Sequence, residues 1–335
     1  MLGSGPRADL TVSVVVIGTD GRRGLARAVA SVLAQEHRPL ELVLFGNGGP
    51  LSPPVHPGDV AVRSGHSPEN LGVAGGRNAA ARLAGGDVLV FLDDDAVLAA
   101  GALSAAVDVL ARDPAVGAVA FNVVDPETGR AAMWYHPYDP AEWMRRPFEA
   151  MTVIGCGHAV RRECFDALGG FWEGYFREME EVDFSWRLLD AGRVIRYEPA
   201  ARVEHPERTA RHLRHSVRSN LLMAWRLLPL PLALRQIAVK ALIFAYRGAR
   251  HGELGDCVRG FAEALRRAPG AGRRALAPET VAYLRRVHAP QGPGKRLQWS
   301  LRPVAAPPPF GAQPGAASAS WPAATPITPP HSATR

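Results

Sequence analysis

An apolar run that ends in three adjacent carboxylates, Phe91-Leu92-Asp93-Asp94-Asp95, is where this sequence most clearly concentrates chemistry. Three like charges side by side repel one another, and a bound cation relieves that cost. Alternation along an extended chain sends Asp93 and Asp95 to the same side. Two hard oxygen donors on one side suit Mg²⁺ or Mn²⁺, with water and phosphate completing the shell. A solvated turn or a helix N-cap would use the same residues, because Ala-rich sequence follows Asp95.

A second cluster is Asn70-Leu71-Gly72-Val73-Ala74-Gly75-Gly76-Arg77-Asn78. Its glycines permit a tight turn and close approach of backbone to a ligand. Arg77 can reach a phosphate, and a helix that starts here favours an anion at its N-terminus. The spacing is neither a P-loop nor the dinucleotide fingerprint, so a purely structural turn stays open. A third cluster is Gly169-Gly170-Phe171-Trp172-Glu173, followed by Glu180-Glu181-Val182-Asp183. Those carboxylates either complement a helix dipole or supply a general base. His205, between Glu204 and Pro206, follows a predicted strand and is either a metal ligand or an ordinary histidine.

The elements that must position these residues alternate. Apolar runs at Thr11–Ile17, Leu40–Phe45, Val60–Arg63, Asp87–Leu92 and Ala115–Asn122 predict strands. Helical spacing predicts helices over Arg23–Gln35, Ala74–Ala84 and Gly101–Arg112. Such alternation predicts an α/β fold with a mainly parallel sheet flanked by helices. Ligands of such sheets sit outside the carboxyl ends of the strands, which is where the polar clusters fall. Further on, Val153–Val160 and Val194–Tyr197 read as strands and Glu180–Ala191 as a helix. Residues 207–290 read as helices broken at Pro229, Pro231 and 269–272, and 303–335 as a disordered Pro/Ala-rich tail.

The chain has 335 residues and a formal charge of +7. Residues 201–302 hold 20 Lys/Arg against 6 Asp/Glu, so the remainder is net negative. Three cysteines without CxxC spacing argue against a disulfide framework or a zinc site and for a reducing compartment. No leader sequence is legible at Met1–Thr11, and the apolar stretch Leu227–Tyr246 is interrupted by Pro229, Pro231, Arg235, Gln236 and Lys240. The basic helices suit either a cap on the rest of the chain or a peripheral contact with an anionic membrane. Basic charge alone permits nucleic-acid binding, but no recognition module is present and nucleic acid is not an expected partner.

In this order the clusters resemble family 2 glycosyltransferases, which have a GT-A (Rossmann-like) fold, over about residues 10–210. The branches nearest in pattern are the rhamnosyltransferase-like and galactofuranosyltransferase-like ones. The resemblance implies metal ligation by Asp93, Asp95 and His205, with Mg²⁺ or Mn²⁺ as the cofactor. It implies donor contacts from Thr19, Asp20, Asn47, Asn70, Gly72, Arg77, Asn78 and Asp94, with a UDP- or dTDP-sugar favoured. It implies an acceptor loop at Gly169, Gly170, Phe171 and Trp172. It further implies an inverting transfer to a hydroxyl of a cell-envelope glycan, a lipid-linked glycan or a natural product.

Two departures stand out. The family's usual base position is Glu181 here, with Asp183 as the alternative. The family's second strand usually ends in an Asp that contacts the nucleobase; Gly46 stands there, and Asn47 is the expected substitute. A sugar-nucleotide nucleotidyltransferase, for which Arg22 and Arg23 are faint signals, and an inactive GT-A-fold binding protein are the alternatives. The expected organisation is a catalytic domain at 10–210, a basic helical extension at 211–300 and the tail. The expected location is the cytoplasm, with the inner face of the membrane left open.

Overall fold

The computed structural model describes residues 10–19, 24–51, 58–131, 145–206 and 213–288. Asp20, Arg22, Arg23 and the tail 303–335 lie outside the described residues.

The apolar runs become β1 (Val12–Gly18), β2 (Leu40–Asn47) and β4 (Val88–Asp93), buried along almost their whole length. Burial on both faces is what a sheet covered by helices requires. β3 (Ala61–Ser67) closes the outer edge and is largely solvated. β1 to β4 pair in parallel in the order β3-β2-β1-β4. Helix α1 (Leu25–Leu33) turns Leu25, Ala28, Val29 and Val32 inward. Helices α2 (Gly72–Ala81) and α3 (Ala102–Arg112) supply the next two crossovers.

Beyond β4 the sheet is mixed rather than parallel. β8 (Gly157–Arg161) runs antiparallel to both β4 and β6 (Val116–Val124), and β9 (Val194–Glu204) runs parallel to β6. Two short strands missing from the sequence reading, β5 (Val97–Leu98) and β7 (Phe148–Ala150), pair antiparallel with β9. They are too short to carry a periodic signal. β8 starts four residues later than expected, because the chain turns at 155–156 and the Gly155 carbonyl accepts from Arg77. β9 runs on past Tyr197 to Glu204, with a register shift against β6 near Pro199, where a bulge tolerates the missing N–H.

Helix α4 (Arg162–Ala167) and one turn of 3₁₀-helix at Glu173–Tyr175 lead into α5 (Glu180–Asp190). Four more helices follow: α6 (Leu213–Leu227), α7 (Leu230–His251), α8 (Leu254–Arg267) and α9 (Pro278–His288). Pro229 and Pro231 start α7 instead of breaking it, since the first turn of a helix has no use for their missing N–H groups. α6 packs on the 173–175 turn and α9 on α5. The C-terminal helices therefore lie against the part of the chain that carries Glu180 and Glu181.

Candidate active site

The carboxyl end of β4 delivers Asp93 to the rim beside β1, where Ile17 is its neighbour in register. The chain turns at once, Ala96 N–H donating to the Asp93 carbonyl at 3.1 Å. It then enters β5, whose Val97 pairs with Glu204 of β9. That pairing sets His205 beside Asp95, with Nε2 3.2 Å from Oδ1. Ligand atoms of Asp93, Asp95 and His205 all lie within 4.8 Å of one another, and the three residues are half-buried. Two carboxylate oxygens and one imidazole nitrogen on an open rim fit Mg²⁺ or Mn²⁺ with room for further oxygen ligands. Asp94 is buried over the end of β1. A Cβ at Gly18 would stand 2.8 Å from its Oδ2, so Gly18 makes room for that carboxylate. Thr19 lies just past β1 at the same rim.

Arg77 has a different task from the one expected of it. It is buried, donating to Asp93 at 2.8 Å, to the Gly155 carbonyl at 2.7 Å and to Glu180 at 3.3 Å. Its donors tie β4 to α5 and are not turned outward to a phosphate. Burial alone would lower its pKa, but Asp93, Glu180 and Glu181 outweigh burial and raise it. The next residues in the charge chain are Glu180 and Glu181, at the N-terminus of α5. Oε2 of each is out of reach of solvent and has no hydrogen-bond partner. Burial raises the Glu180 carboxyl, opposed by Arg77. Burial, and then the charge of Glu180, pushes Glu181 up to about 8. A carboxylate poised near neutral pH, with an unsatisfied oxygen, is able to accept a proton.

Asp183, the other candidate base, is fully buried and fully engaged. It pairs with Arg187 at 2.5 Å and Arg226 at 3.3 Å, and accepts from the Tyr175 hydroxyl at 2.9 Å. With both oxygens held by cations and a phenol, it braces the helix and has no face toward a substrate.

The Asn-Gly turn is likewise a joint. Asn47 accepts from Leu71 N–H and donates to the Gly72 carbonyl, both at 2.8 Å, and its Nδ2 lies 3.3 Å from Asn70 Oδ1. Asn70 Oδ1 accepts from Gly72 N–H at 2.9 Å, and Val73 N–H donates to the Phe176 carbonyl at 2.5 Å. The first amides of α2 are thus taken by protein groups, contrary to the anion site expected at this N-terminus. Asn47 is buried and its amide is folded into this joint, away from the role expected of it toward a nucleobase. Gly72 has φ +75°, and a Cβ there would sit 2.2 Å from the Phe176 carbonyl oxygen. Asn78 faces the other way. It accepts from Phe171 N–H at 2.9 Å and donates to the Phe171 carbonyl at 2.8 Å and to Glu173 at 3.0 Å. It holds the glycine loop.

That loop takes left-handed backbone at Gly169 and Gly170 (φ +73° and +67°). Phe171 is buried among Phe91, Phe165 and Phe184, so it anchors the loop from inside, while Trp172 is partly buried edge-on to Tyr175. Arg226 lies 4.1 Å over the Trp172 ring.

Sequence reasoning missed the residues of α6. Arg218 donates to the Tyr175 carbonyl, and Ser219 to the Arg177 carbonyl at 2.9 Å. Ser216 donates to Glu178. These grips fall on a segment in which Phe176, Glu178 and Met179 have φ of +67°, +64° and +73°. Left-handed backbone at three such residues is strained and persists only where neighbours over-determine it. It delivers Glu180 and Glu181 to the rim. No sequence signal marks α6 for this task, because every partner lies about 40 residues away.

Residues 13–169 match the family model described as Glycosyl transferase family 2. The family 2 glycosyltransferase match thus covers a little under half of the chain. The chain is 29% identical over 219 residues to the pre-mycofactocin glycosyltransferase of Mycobacterium tuberculosis, covering 62% of this chain and 44% of that protein. The chain thus spans less than half the length of that relative. It is 28% identical over 224 residues to the glucosyl-dolichyl phosphate glucuronosyltransferase of Haloferax volcanii, covering 58% of this chain and 69% of that one. The fold of the glycosyltransferase domain is GT-A. Among solved structures it is similar to the mannosyltransferase of Pyrobaculum calidifontis in complex with GDP-Man and Mn²⁺, with a TM-score of 0.52 and 21% identity. That match covers 82% of this chain and 78% of the other. The family match stops before Glu180, Glu181 and His205.

Proposed function

We propose that this chain is an inverting glycosyltransferase that moves a sugar from a nucleotide-diphosphate donor to an acceptor hydroxyl. The observation that carries this reading is one rim holding both parts of such a site. Arg77 links Asp93 of the Asp93–Asp95–His205 trio to the buried Glu180, whose neighbour Glu181 is half-buried.

In this reading Asp93, Asp95 and His205 hold Mg²⁺ or Mn²⁺. When bound, the cation supplies Lewis-acid stabilisation of the departing diphosphate. Thr19 and Asp94 line the donor side at the ends of β1 and β4, and Asp20, next after Thr19 in the sequence, is proposed as a further donor contact. Asn47, Asn70, Gly72, Arg77 and Asn78 act at one remove, by fixing the elements that carry the rim. Trp172 faces the acceptor side, on a loop that Gly169, Gly170 and Phe171 shape. The Glu181 carboxylate takes the proton of the acceptor hydroxyl, a contribution of about 10²–10⁴-fold in rate. Arg77 favours the charged form of Glu180 against the burial that opposes it, and negative charge on Glu180 in turn favours a protonated Glu181 after transfer. Displacement by the hydroxyl on the face opposite the leaving group inverts the anomeric centre.

A UDP- or dTDP-sugar is the proposed donor, in the pattern of the rhamnosyl- and galactofuranosyl-transferring branches. The acceptor is a cell-envelope glycan, a lipid-linked glycan or a natural product, met in the cytoplasm. The catalytic unit is proposed to span 10–210, with residues 211–300 as its basic helical extension. Release of nucleoside diphosphate from a panel of UDP-, dTDP- and GDP-sugars tests the reading. One donor should turn over with Mg²⁺ or Mn²⁺ and stop with EDTA. Release of pyrophosphate instead would assign nucleotidyl transfer, and no turnover of any donor would leave a binding protein.

A further inference from the structure

Helices α7 and α8 form a hairpin whose outward side is apolar. Along α7 the exposed positions Pro231, Leu234, Ala238, Leu242 and Tyr246 recur at helical spacing. Along α8 the exposed stripe is Leu254, Val258, Ala262 and Leu265. The exposure is large: Leu242 72%, Tyr246 67%, Val258 62% and Leu265 60%. The opposite faces already have partners, with Ala233, Gln236 and Phe244 of α7 and Cys257, Gly260 and Ala264 of α8 buried. Helices of a soluble domain put polar residues on the outer face, so a contiguous apolar outer face marks a contact surface.

Charge identifies the occupant. α7 has no acidic residue, and exposed Arg247, Arg250 and Arg266 flank the stripes. Across 213–288 there are 14 Lys/Arg against 4 Asp/Glu. A second copy would bring the same cations to the interface, and like charges there oppose pairing. An apolar stripe edged by arginine fits an anionic lipid surface, with the apolar face in the acyl boundary and the guanidinium groups among the headgroups. Among the described residues no helix is long and apolar enough to cross a membrane, so the hairpin would lie in the plane of the interface.

We propose that the α7–α8 hairpin seats this protein on an anionic membrane surface. α6 packs against both helices of the hairpin and against the 173–175 turn. A bilayer on the hairpin is therefore one helix layer from the acceptor loop. If the proposed function holds, this places a lipid-linked acceptor hydroxyl within reach, whereas the membrane contact itself does not depend on that function.

Co-sedimentation of the full chain with phosphatidylcholine vesicles, with and without phosphatidylglycerol, tests the proposal. The chain should bind the anionic vesicles at low salt and lose them at high salt. Leu242→Glu with Tyr246→Glu should abolish binding. Arg247→Gln with Arg250→Gln and Arg266→Gln should weaken it roughly fivefold per cation removed. Nucleoside diphosphate binding should be unchanged in both variants, which also shows that they fold. Absence of binding at low salt, or binding indifferent to both variants, overturns the proposal. So does a dimer that dissolves on the glutamate substitutions while vesicles go unbound, since that assigns the face to a second copy. Donor turnover without vesicles is read separately, so its failure would leave the membrane result standing.

Discussion

Glu181 and Asp183 stand two residues apart at the start of α5 and have opposite surroundings. Glu181 has an unpartnered buried oxygen, whereas Asp183 is clasped by Arg187, Arg226 and Tyr175. Glu181→Gln should therefore lower transfer about 10²–10⁴-fold while the protein stays folded. Asp183→Asn should strand two buried guanidinium groups and lower stability by about 3–5 kcal/mol, as read by denaturant unfolding. The pH dependence follows from the raised Glu181 carboxyl. Its proton-accepting form is gained as pH rises toward about 8, so kcat/KM should climb through that range and then level. A flat profile from pH 6 to 9 would contradict the assignment. For stability the sign is reversed. Between the ordinary glutamate pKa of about 4.3 and the folded value, the unfolded chain binds fewer protons. Stability of the ligand-free protein should fall as pH rises across that window, and Glu181→Gln should flatten the fall.

Strands β1, β2 and β4 were legible as apolar runs and helices α1 and α3 as amphipathic ones, whereas β5 and β7 were too short to show a period. The order of the chemistry-bearing clusters was legible too, since they follow strand ends. What the sequence did not reveal is direction. Arg77, Asn78 and Asn47 are the polar types that bind ligands, yet all three turn inward to tie α2 to β2, β4 and the glycine loop. Residue type and spacing carry no information about which neighbour reaches a side chain first. The grip of α6 on 172–179 was hidden for the same reason. Arg226→Ala should unseat Trp172 and leave Asp183 with one cation fewer. The expected result is a higher acceptor KM at little-changed donor KM, with a lowered melting temperature. A chain ended after residue 206 should lose the clasp on Asp183 and fail to fold cooperatively. At the joint itself, Gly72→Ala must both hold φ +75° and clear a carbonyl oxygen 2.2 Å away. A loss above about 1–3 kcal/mol is expected for that position, as read by denaturant unfolding, whereas a neutral effect would show that α2 can shift.

The molecule as a whole divides its charge. The sheet half brings acidic groups to one rim, and the C-terminal helices bring cations and an apolar outer face to another side. The two halves meet at the 173–179 segment, where α6 fixes the backbone that leads into Glu180 and Glu181. This arrangement makes the cation-holding rim the feature on which all the rest depends. Its most direct test is calorimetric titration of UDP, dTDP and GDP into the full chain, with Mn²⁺ and with EDTA, in the wild type and in Asp95→Ala. The expected result is that one nucleotide binds with Mn²⁺, and that EDTA or Asp95→Ala abolishes this binding. Nucleotide binding indifferent to both the cation and Asp95, or no binding of any nucleotide, would contradict the assignment of this rim as a metal-dependent glycosyl-transfer site.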